Sequence, residues 1–190
     1  MPEIIIPISN YAKGRSGHAP LAFVIHIQQG TQQGTLSWFK NPASQVSAHV
    51  AVAKSGEVDT CVDERDTAYH AGRINAPVAP VLKKDLLGRI INPNLYTIGI
   101  ECEGFRGDWF TEQQMVSVCE YIKAVAGRWG IPQTRRHIIS HNEVTADKED
   151  MRAWCDEIVR RLNIDTEPTP NAKQEMVGLL EKALNIAKNL

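Results

Sequence analysis

Three short apolar runs, spread widely along the chain, constrain its fold more than any other feature of the sequence. They are residues 21–27 (LAFVIHI), 97–103 (TIGIECE) and 137–140 (HIIS). Each run is too short for a buried helix, and β-branched residues recur in them, which favours strands. Apolar residues at helical spacing in residues 108–130 and 149–162 predict helices between and after these strands. Strands that alternate with helices are typical of layered α/β proteins.

We therefore expect an α/β fold: a single domain with a central mixed β-sheet flanked by helices. Residues 46–53 and 57–62 surround a Lys-Ser-Gly turn and predict an antiparallel hairpin in that sheet. Residues 35–40 predict a short helical turn that ends before Asn-Pro. Residues 71–93 are rich in proline, glycine and asparagine, and predict a long irregular loop of the kind that carries function.

The C-terminal part of the sequence differs in character from the rest. Residues 1–163 form the predicted globular domain, and residues 164–171 have the composition of a linker. Residues 172–190 predict a C-terminal amphipathic helix, which would be a docked tail, a homodimer interface or the start of a second module. Its apolar stripe consists of Met176, Leu179, Leu180, Ala183, Leu184 and Ala187.

Composition narrows the classes of function. The chain has 190 residues, of which 43% are hydrophobic, and this is enough for a substantial core. A formal net charge of -1 argues against nucleic acid as a partner, and no apolar run is long enough for membrane insertion. The first residues lack the features of a signal peptide, so we expect synthesis in the cytoplasm. Four scattered cysteines predict buried, reduced thiols: Cys61, Cys102, Cys119 and Cys155.

Two histidines occupy equivalent places at the ends of predicted strands. His26 lies near the end of the first strand, and His141 directly follows the last. Sites in α/β proteins are assembled where strands end, although a lone histidine there is more often structural. With Asp150 they would provide the two histidines and one carboxylate that bind a catalytic zinc ion. Such an ion lowers the pKa of its water to about 7 and so generates a nucleophile.

Two further charged residues are candidates for catalysis. In the second strand, Glu101 points to the face opposite Ile100, and a carboxylate on so apolar a strand suggests a paired or functional group. The alternative is that Glu101 is an ordinary charged residue on a solvent-exposed face of the sheet. Lys148 precedes Asp150 by two residues, and it is either part of the site or a surface lysine that pairs with neighbouring acids.

The motifs VIH, VSAH, AYHAG, IGIECEG and SH…K-x-D occur in this order between residues 24 and 150. Together they resemble the type 2 N-acetylmuramoyl-L-alanine amidases. This superfamily includes phage endolysins, autolysins, cytosolic muropeptide amidases and peptidoglycan recognition proteins. The resemblance extends over residues 20–160, and the stretch WFKNP…VSAH is most similar to endolysins and autolysins.

The resemblance implies that residues 1–163 are a zinc amidase domain, with Zn2+ as cofactor and peptidoglycan or muropeptides as substrate. It would cut the amide bond between N-acetylmuramic acid and the L-alanine of the stem peptide. By motif position, the metal ligands are His26, His141 and Asp150. Glu101 would be the general base, and Lys148 would stabilise the oxyanion.

The remaining motif residues are expected to bind substrate or to support the ligands from behind. They are His49 of VSAH, and His70 and Tyr69 of AYHAG, where the family more often has Trp-His-Ala-Gly. Met151 and Arg152 stand where the family has Pro-Gly after the third ligand. Glu149 and Asp147 therefore stay in reserve as alternatives to Asp150. Ala48 occupies a position where some phage enzymes carry a catalytic tyrosine.

Three functions are compatible with these motifs. An endolysin would act on the cell wall after release through holin-type membrane holes, which accords with synthesis without a signal peptide. A cytosolic amidase would recycle soluble anhydro-muropeptides by the same chemistry. A non-catalytic recognition module would hold peptidoglycan without cutting it, but such proteins typically lose the third ligand. We expect the endolysin-like hydrolase.

Overall fold

The structure, a computed structural model, describes residues 6–164. In chain order, this part of the molecule contains seven strands and three α-helices. The strands are β1 (Tyr11–Ala12), β2 (Ala22–Ile27), β3 (Val50–Val52), β4 (Val58–Thr60), β5 (Thr67–Ala68), β6 (Thr97–Cys102) and β7 (Ile138–Ser140). The helices are α1 (Gln32–Lys40), α2 (Glu112–Trp129) and α3 (Arg152–Ile164).

The main sheet has five strands in the order β4-β3-β6-β2-β7. β3, β6, β2 and β7 run parallel, and β4 pairs antiparallel with β3 at the edge. The predicted mixed sheet and its hairpin are thus confirmed. The register places His26 directly opposite Glu101 on the neighbouring strand. A second, two-stranded sheet joins β1 to β5, and strands of two residues carry too little periodicity to be predicted.

The helices begin and end close to the predicted residues, and their caps explain the differences. α2 begins at Glu112 instead of Asp108, because the Thr111 side chain caps it by accepting a hydrogen bond from Gln114 N–H. It ends at Trp129, and the following Gly130, whose φ is 67°, is its C-cap. α1 is longer than the predicted turn, since Thr31 caps it one turn earlier. α3 begins at Arg152, three residues later than predicted.

Strand alternation divides the core between the two faces of the sheet. On one face, α2 and α3 cover the apolar side chains of the strands, including Phe23, Ile25, Ile98 and Ile100. On the other face, Val24 and neighbouring residues pack beneath the loop of residues 71–92. Because His26 and Glu101 follow the alternation, they lie on this second face, away from α2 and α3.

The predicted irregular loop is present, and hydrogen bonds to the Tyr96 hydroxyl hold it in place. Apart from isolated bridges, residues 71–92 form neither helix nor strand. The Tyr96 hydroxyl donates a hydrogen bond to Ile91 O and accepts one from Lys83 N–H, at 3.1 Å each. The loop is thereby held over the sheet, where its first residues border the strand ends.

Other expectations concern the whole chain. The four cysteines are buried and free, as predicted. Among residues 6–164, no helix is both long and apolar enough to span a membrane. The linker and the C-terminal amphipathic helix, residues 164–171 and 172–190, lie outside the described residues except for residue 164, which ends α3.

Packing of α2 against the sheet should contribute much of the stability. Ile122 is fully buried beneath the sheet, whereas Val116 on the same helix is 43% exposed. Ile122→Ala should lower the free energy of unfolding by about 2–5 kcal/mol, because it leaves a cavity in the core. Val116→Ala is the matched control, with an expected change of about 0.5 kcal/mol or less. Equal effects in urea unfolding would show that α2 does not pack as described.

Candidate active site

The candidate site lies where the parallel strands end. His26 is the penultimate residue of β2, Glu101 faces it from β6, and His141 directly follows β7. Parallel strands present their carboxyl ends at the same edge of a sheet, so these three residues meet although they are far apart in sequence. They border a cleft of about 520 Å³.

Six of the eight predicted site residues line this cleft. They are His26, Tyr69, His70, Glu101, His141 and Lys148. The cleft is also lined by residues that sequence reasoning did not single out, among them Gln28, Thr35 and Trp38 of the β2–α1 region. Trp38 is 55% exposed, which is unusual for so large an apolar side chain. A large aromatic residue on a polar helix face was the signal that could have identified it.

The imidazoles of His26 and His141 converge in the cleft. Their Nδ1 atoms are 2.8 Å apart. Burial, reinforced by neighbouring positive charge, holds the pKa of His26 well below its ordinary value. Burial also lowers the pKa of His141 to about 4. Both rings are therefore neutral near pH 7, and each has one nitrogen with a free lone pair.

This pair suits a divalent metal ion. His141 Nε2 lies 3.2 Å from Ala71 O, an acceptor, so it carries the ring proton and leaves Nδ1 bare. A catalytic zinc site commonly has three protein ligands. Two neutral imidazoles whose unprotonated Nδ1 atoms lie 2.8 Å apart match two of those three ligands. Within residues 6–164, however, the structure brings together no group of three His, Cys, Asp or Glu side chains that could hold a metal.

Asp150, the predicted third ligand, lies outside the cleft. Its carboxylate accepts hydrogen bonds from the guanidinium and the backbone N–H of Arg152, and its side chain is 46% exposed. These bonds lower the pKa of Asp150 to about 2. The neighbouring Glu149 does line the cleft, and its Oε1 is 3.5 Å from Arg106 Nε. The assignment of the third ligand stays a prediction.

Glu101 combines burial with poor hydrogen bonding. Its side chain is 17% exposed, Oε1 lies 3.8 Å from His26 Nδ1, and Oε2 has no hydrogen-bond partner among the described residues. Burial raises the pKa of this carboxyl to about 7, although the charge of Lys148 acts in the opposite direction. A carboxylate with a pKa near neutrality can both accept and release a proton at physiological pH.

Lys148 places a positive charge near His26, Glu101 and His141. Its charge lowers the pKa of His26 and of His141, as well as that of Glu101, so it acts on all three groups. Lys148 lines the cleft, and its side chain is exposed there.

His70 is buried between the cleft and the sheet. Its Nδ1 is 3.1 Å from His26 Nε2. Gly99 leaves the space for the ring, because a Cβ at that position would lie 2.4 Å from His70 Cγ. This close approach explains why the IGIE segment carries a glycine in an otherwise apolar strand.

His49 lies farther back and does not line the cleft. It is fully buried, accepts a hydrogen bond from Gly99 N–H at Nδ1, and contacts Arg15 Nη2 through Nε2 at 2.6 Å. Arg15 is 5% exposed and also donates to the carbonyls of Glu64, Asn94 and Thr97. Burial lowers the pKa of this arginine to about 10. Nothing in the local sequence around Arg15 indicates its buried position.

Comparison with known proteins agrees with this geometry. The sequence model of the N-acetylmuramoyl-L-alanine amidase family matches residues 16–156. The chain belongs to this family. A curated relative, N-acetylmuramoyl-L-alanine amidase A of Achromobacter lyticus, is 32% identical over 127 residues. The match covers 65% of this chain and 59% of that relative, so the chain spans less than two thirds of its length.

Solved structures of amidases share the fold. A selenomethionine derivative of AmpD superposes with a TM-score of 0.60 at 22% identity, covering 85% of this chain and 95% of AmpD. LysC of Clostridium intestinale URNW superposes at 0.55 with 18% identity, covering 86% and 99%. AmiD of E. coli, solved with the substrate anhydro-N-acetylmuramic acid-L-Ala-D-γ-Glu-L-Lys, superposes at 0.57 with 20% identity, covering 76% and 59%.

Within this amidase domain, the raised pKa of Glu101 should be visible in its stability. The unfolded state releases the carboxyl proton near pH 4.5, whereas the folded state keeps it to about pH 7. Between these values the folded state binds more protons, so this group lowers the stability as the pH rises. The Glu101→Gln variant has no titratable group at this position, so its free energy of unfolding does not include this pH-dependent decrease.

The difference in free energy of unfolding between Glu101→Gln and wild type should therefore increase in favour of the variant from about pH 5 to about pH 8. Urea unfolding with a chelator present measures it in the metal-free protein. The buried histidines are common to both proteins, so their contributions cancel in the difference. A difference that does not change with pH would contradict the raised pKa.

Proposed function

We propose that this protein is a zinc-dependent peptidoglycan hydrolase of the endolysin type. It cuts the amide bond between N-acetylmuramic acid and the L-alanine of the stem peptide. The observation that carries the proposal is the meeting of His26, His141, Glu101 and Lys148 in one cleft of an amidase-family domain. A structural histidine pair would need neither a cleft nor a lysine and a buried carboxylate beside it.

His26 and His141 would hold the zinc ion through their Nδ1 atoms. When bound, zinc supplies Lewis acidity and lowers the pKa of water to about 7. For the third ligand we propose Asp150. To bind the metal, its carboxylate must give up its ion pair with Arg152. Both partners of this pair are about half exposed, and exposed pairs are worth about 0–1 kcal/mol. Zinc binding at structural sites is worth roughly ten times more, so Arg152 is a weak competitor.

Glu101 is placed to accept a proton from water that attacks the substrate carbonyl. Its carboxyl group lies beside His26 in the cleft lining, and its pKa of about 7 makes the transfer reversible. The proton can then pass to the leaving α-amino group of L-alanine, so that the stem peptide departs as a neutral amine. Lys148 lines the same cleft and would stabilise the negative charge that develops on the carbonyl oxygen.

The substrate would lie along the cleft between the β2–α1 region and the Tyr69–His70 segment. The exposed ring of Trp38 and the ring of Tyr69 offer aromatic surface on the cleft wall, which suits the apolar face of a sugar or a peptide. His70 borders the same wall, whereas His49 would act only by supporting it. The substrate complex of AmiD, which shares this fold, supports the choice of bond.

We further propose that the protein acts on the intact cell wall and reaches it through holin-type holes. A recycling amidase would instead prefer soluble anhydro-muropeptides. Turnover of purified sacculi and of soluble anhydro-muropeptide, measured side by side, separates the two functions. Mass spectrometry of the digests tests the bond itself. A free stem peptide that begins with L-alanine is expected, and binding without any released product would indicate a recognition module.

The third metal ligand can be tested by two matched substitutions. Asp150→Asn should reduce bound zinc from about one equivalent to a small fraction, because it removes an anionic ligand. Glu149→Gln is the control from the adjacent position and should retain the metal. His26→Ala should also lose it. If Glu149→Gln loses zinc while Asp150→Asn keeps it, the third ligand is Glu149.

Lys148→Met keeps an unbranched side chain of similar size but removes its charge. Turnover should fall about 10²–10³-fold with bound zinc unchanged, because the interaction is made only as negative charge develops. Lys40→Met removes a charge from an exposed lysine at the end of α1 and should leave turnover unchanged. Near-normal turnover of Lys148→Met would exclude the oxyanion role.

A further inference from the structure

A chain of buried hydrogen bonds leads from the Pro93 carbonyl to Nε2 of His26, the ring nitrogen that would not bind the metal. The chain passes through the Thr97 hydroxyl and the ring of His70, which are 0% and 6% exposed. The successive distances are 2.7 Å from Thr97 Oγ1 to Pro93 O, 3.1 Å from Thr97 Oγ1 to His70 Nε2, and 3.1 Å from His70 Nδ1 to His26 Nε2. Each link determines the direction of the next.

The first link determines the proton of His70. A carbonyl oxygen can only accept, so the single hydroxyl proton of Thr97 points to Pro93 O. Thr97 Oγ1 is then an acceptor toward His70, and His70 Nε2 must carry the ring proton. A neutral imidazole has one N–H, which leaves Nδ1 of His70 as an acceptor.

The second link determines the proton of His26. Because His70 Nδ1 accepts, the atom that faces it, His26 Nε2, must donate. Nδ1 of His26 is left without a proton, and it is this atom that lies 2.8 Å from the bare Nδ1 of His141. In the opposite tautomer a proton would occupy His26 Nδ1, where the metal should bind.

We propose that Thr97 and His70 are positioning residues that hold His26 in the tautomer with a free Nδ1. The Thr97 hydroxyl orients His70, and Gly99 gives the ring of His70 its place against the sheet. Neither residue needs to touch the metal. The proposal rests on the proposed zinc function, but the tautomer itself exists without metal and can be measured without it.

Nitrogen-15 NMR of the histidine rings in the metal-free protein is the direct test. The spectra distinguish a protonated ring nitrogen from a bare one. His70 and His26 should each carry the proton on Nε2. A proton on Nδ1 of His70 or of His26 in the wild-type protein would overturn the proposal. This result does not depend on zinc binding, on turnover, or on whether any variant folds.

Zinc affinity of variants, from competition with a chromophoric chelator, is the second test. Thr97→Val keeps the shape of the side chain but removes the hydroxyl, and should weaken zinc binding about 10–100-fold, as is usual for partners of a metal ligand. Thr97→Ser keeps the hydroxyl and should bind zinc as wild type does. Thr67→Val is the matched control, since Thr67 is equally buried and donates to Gly14 O, away from the site.

The outcomes separate this proposal from the zinc function. Affinity of Thr97→Val equal to that of Thr67→Val would overturn the proposal and leave the zinc site intact. An equal loss in Thr97→Ser would assign the effect to packing and would overturn it as well. A wild-type protein that binds no zinc would contradict the proposed function, while the NMR spectra would still decide the tautomer.

Discussion

The parallel pairing of β2 with both β6 and β7 is the constraint on which the site depends. It sets His26 opposite Glu101 and brings the residue that follows β7 beside them. No local interaction could do this, because residues 26 and 141 are 115 positions apart. The helices α2 and α3 stabilise the pairing by covering the apolar face of the same strands. The other face is left free for polar groups, and the loop of residues 71–92 closes over part of it.

Burial gives these polar groups their chemical properties. The low-dielectric surroundings disfavour charge, so the pKa of each cleft histidine falls and that of Glu101 rises toward 7. Hydrogen bonds with backbone groups offset the cost of burying the histidines: His141 donates to the Ala71 carbonyl, and His49 accepts from the Gly99 amide. Arg15 joins the loops behind the site, because its guanidinium contacts His49 and the backbone carbonyls of Glu64, Asn94, Leu95 and Thr97.

The amidase family match covers the whole predicted site, but the surroundings of Asp150 differ from those of the histidine pair. The amidase match spans residues 16–156 and contains every predicted site residue. Arg152 binds the Asp150 carboxylate, which lies outside the cleft that the two histidines line. The segment around Asp150 thus differs from the rest of the predicted site in its position in the fold. The histidine pair is built into the sheet, whereas Asp150, the proposed third ligand, lies in an exposed segment and pairs there with Arg152.

The mixed sheet, the three α-helices to within a few residues, and the family could all be predicted from the sequence. Apolar periodicity, capping residues and ordered motifs are the signals that made this possible, and the motifs singled out His26, Glu101, His141 and Lys148. Which of these side chains meet could not be predicted, because it depends on how distant segments pack. The tertiary structure placed His49 behind the cleft, turned Asp150 toward Arg152, and revealed Arg15, Trp38 and the Thr97–His70 chain. These features depend on contacts between distant segments, where a single buried hydrogen bond decides an orientation, and such contacts leave no periodic signal in a sequence.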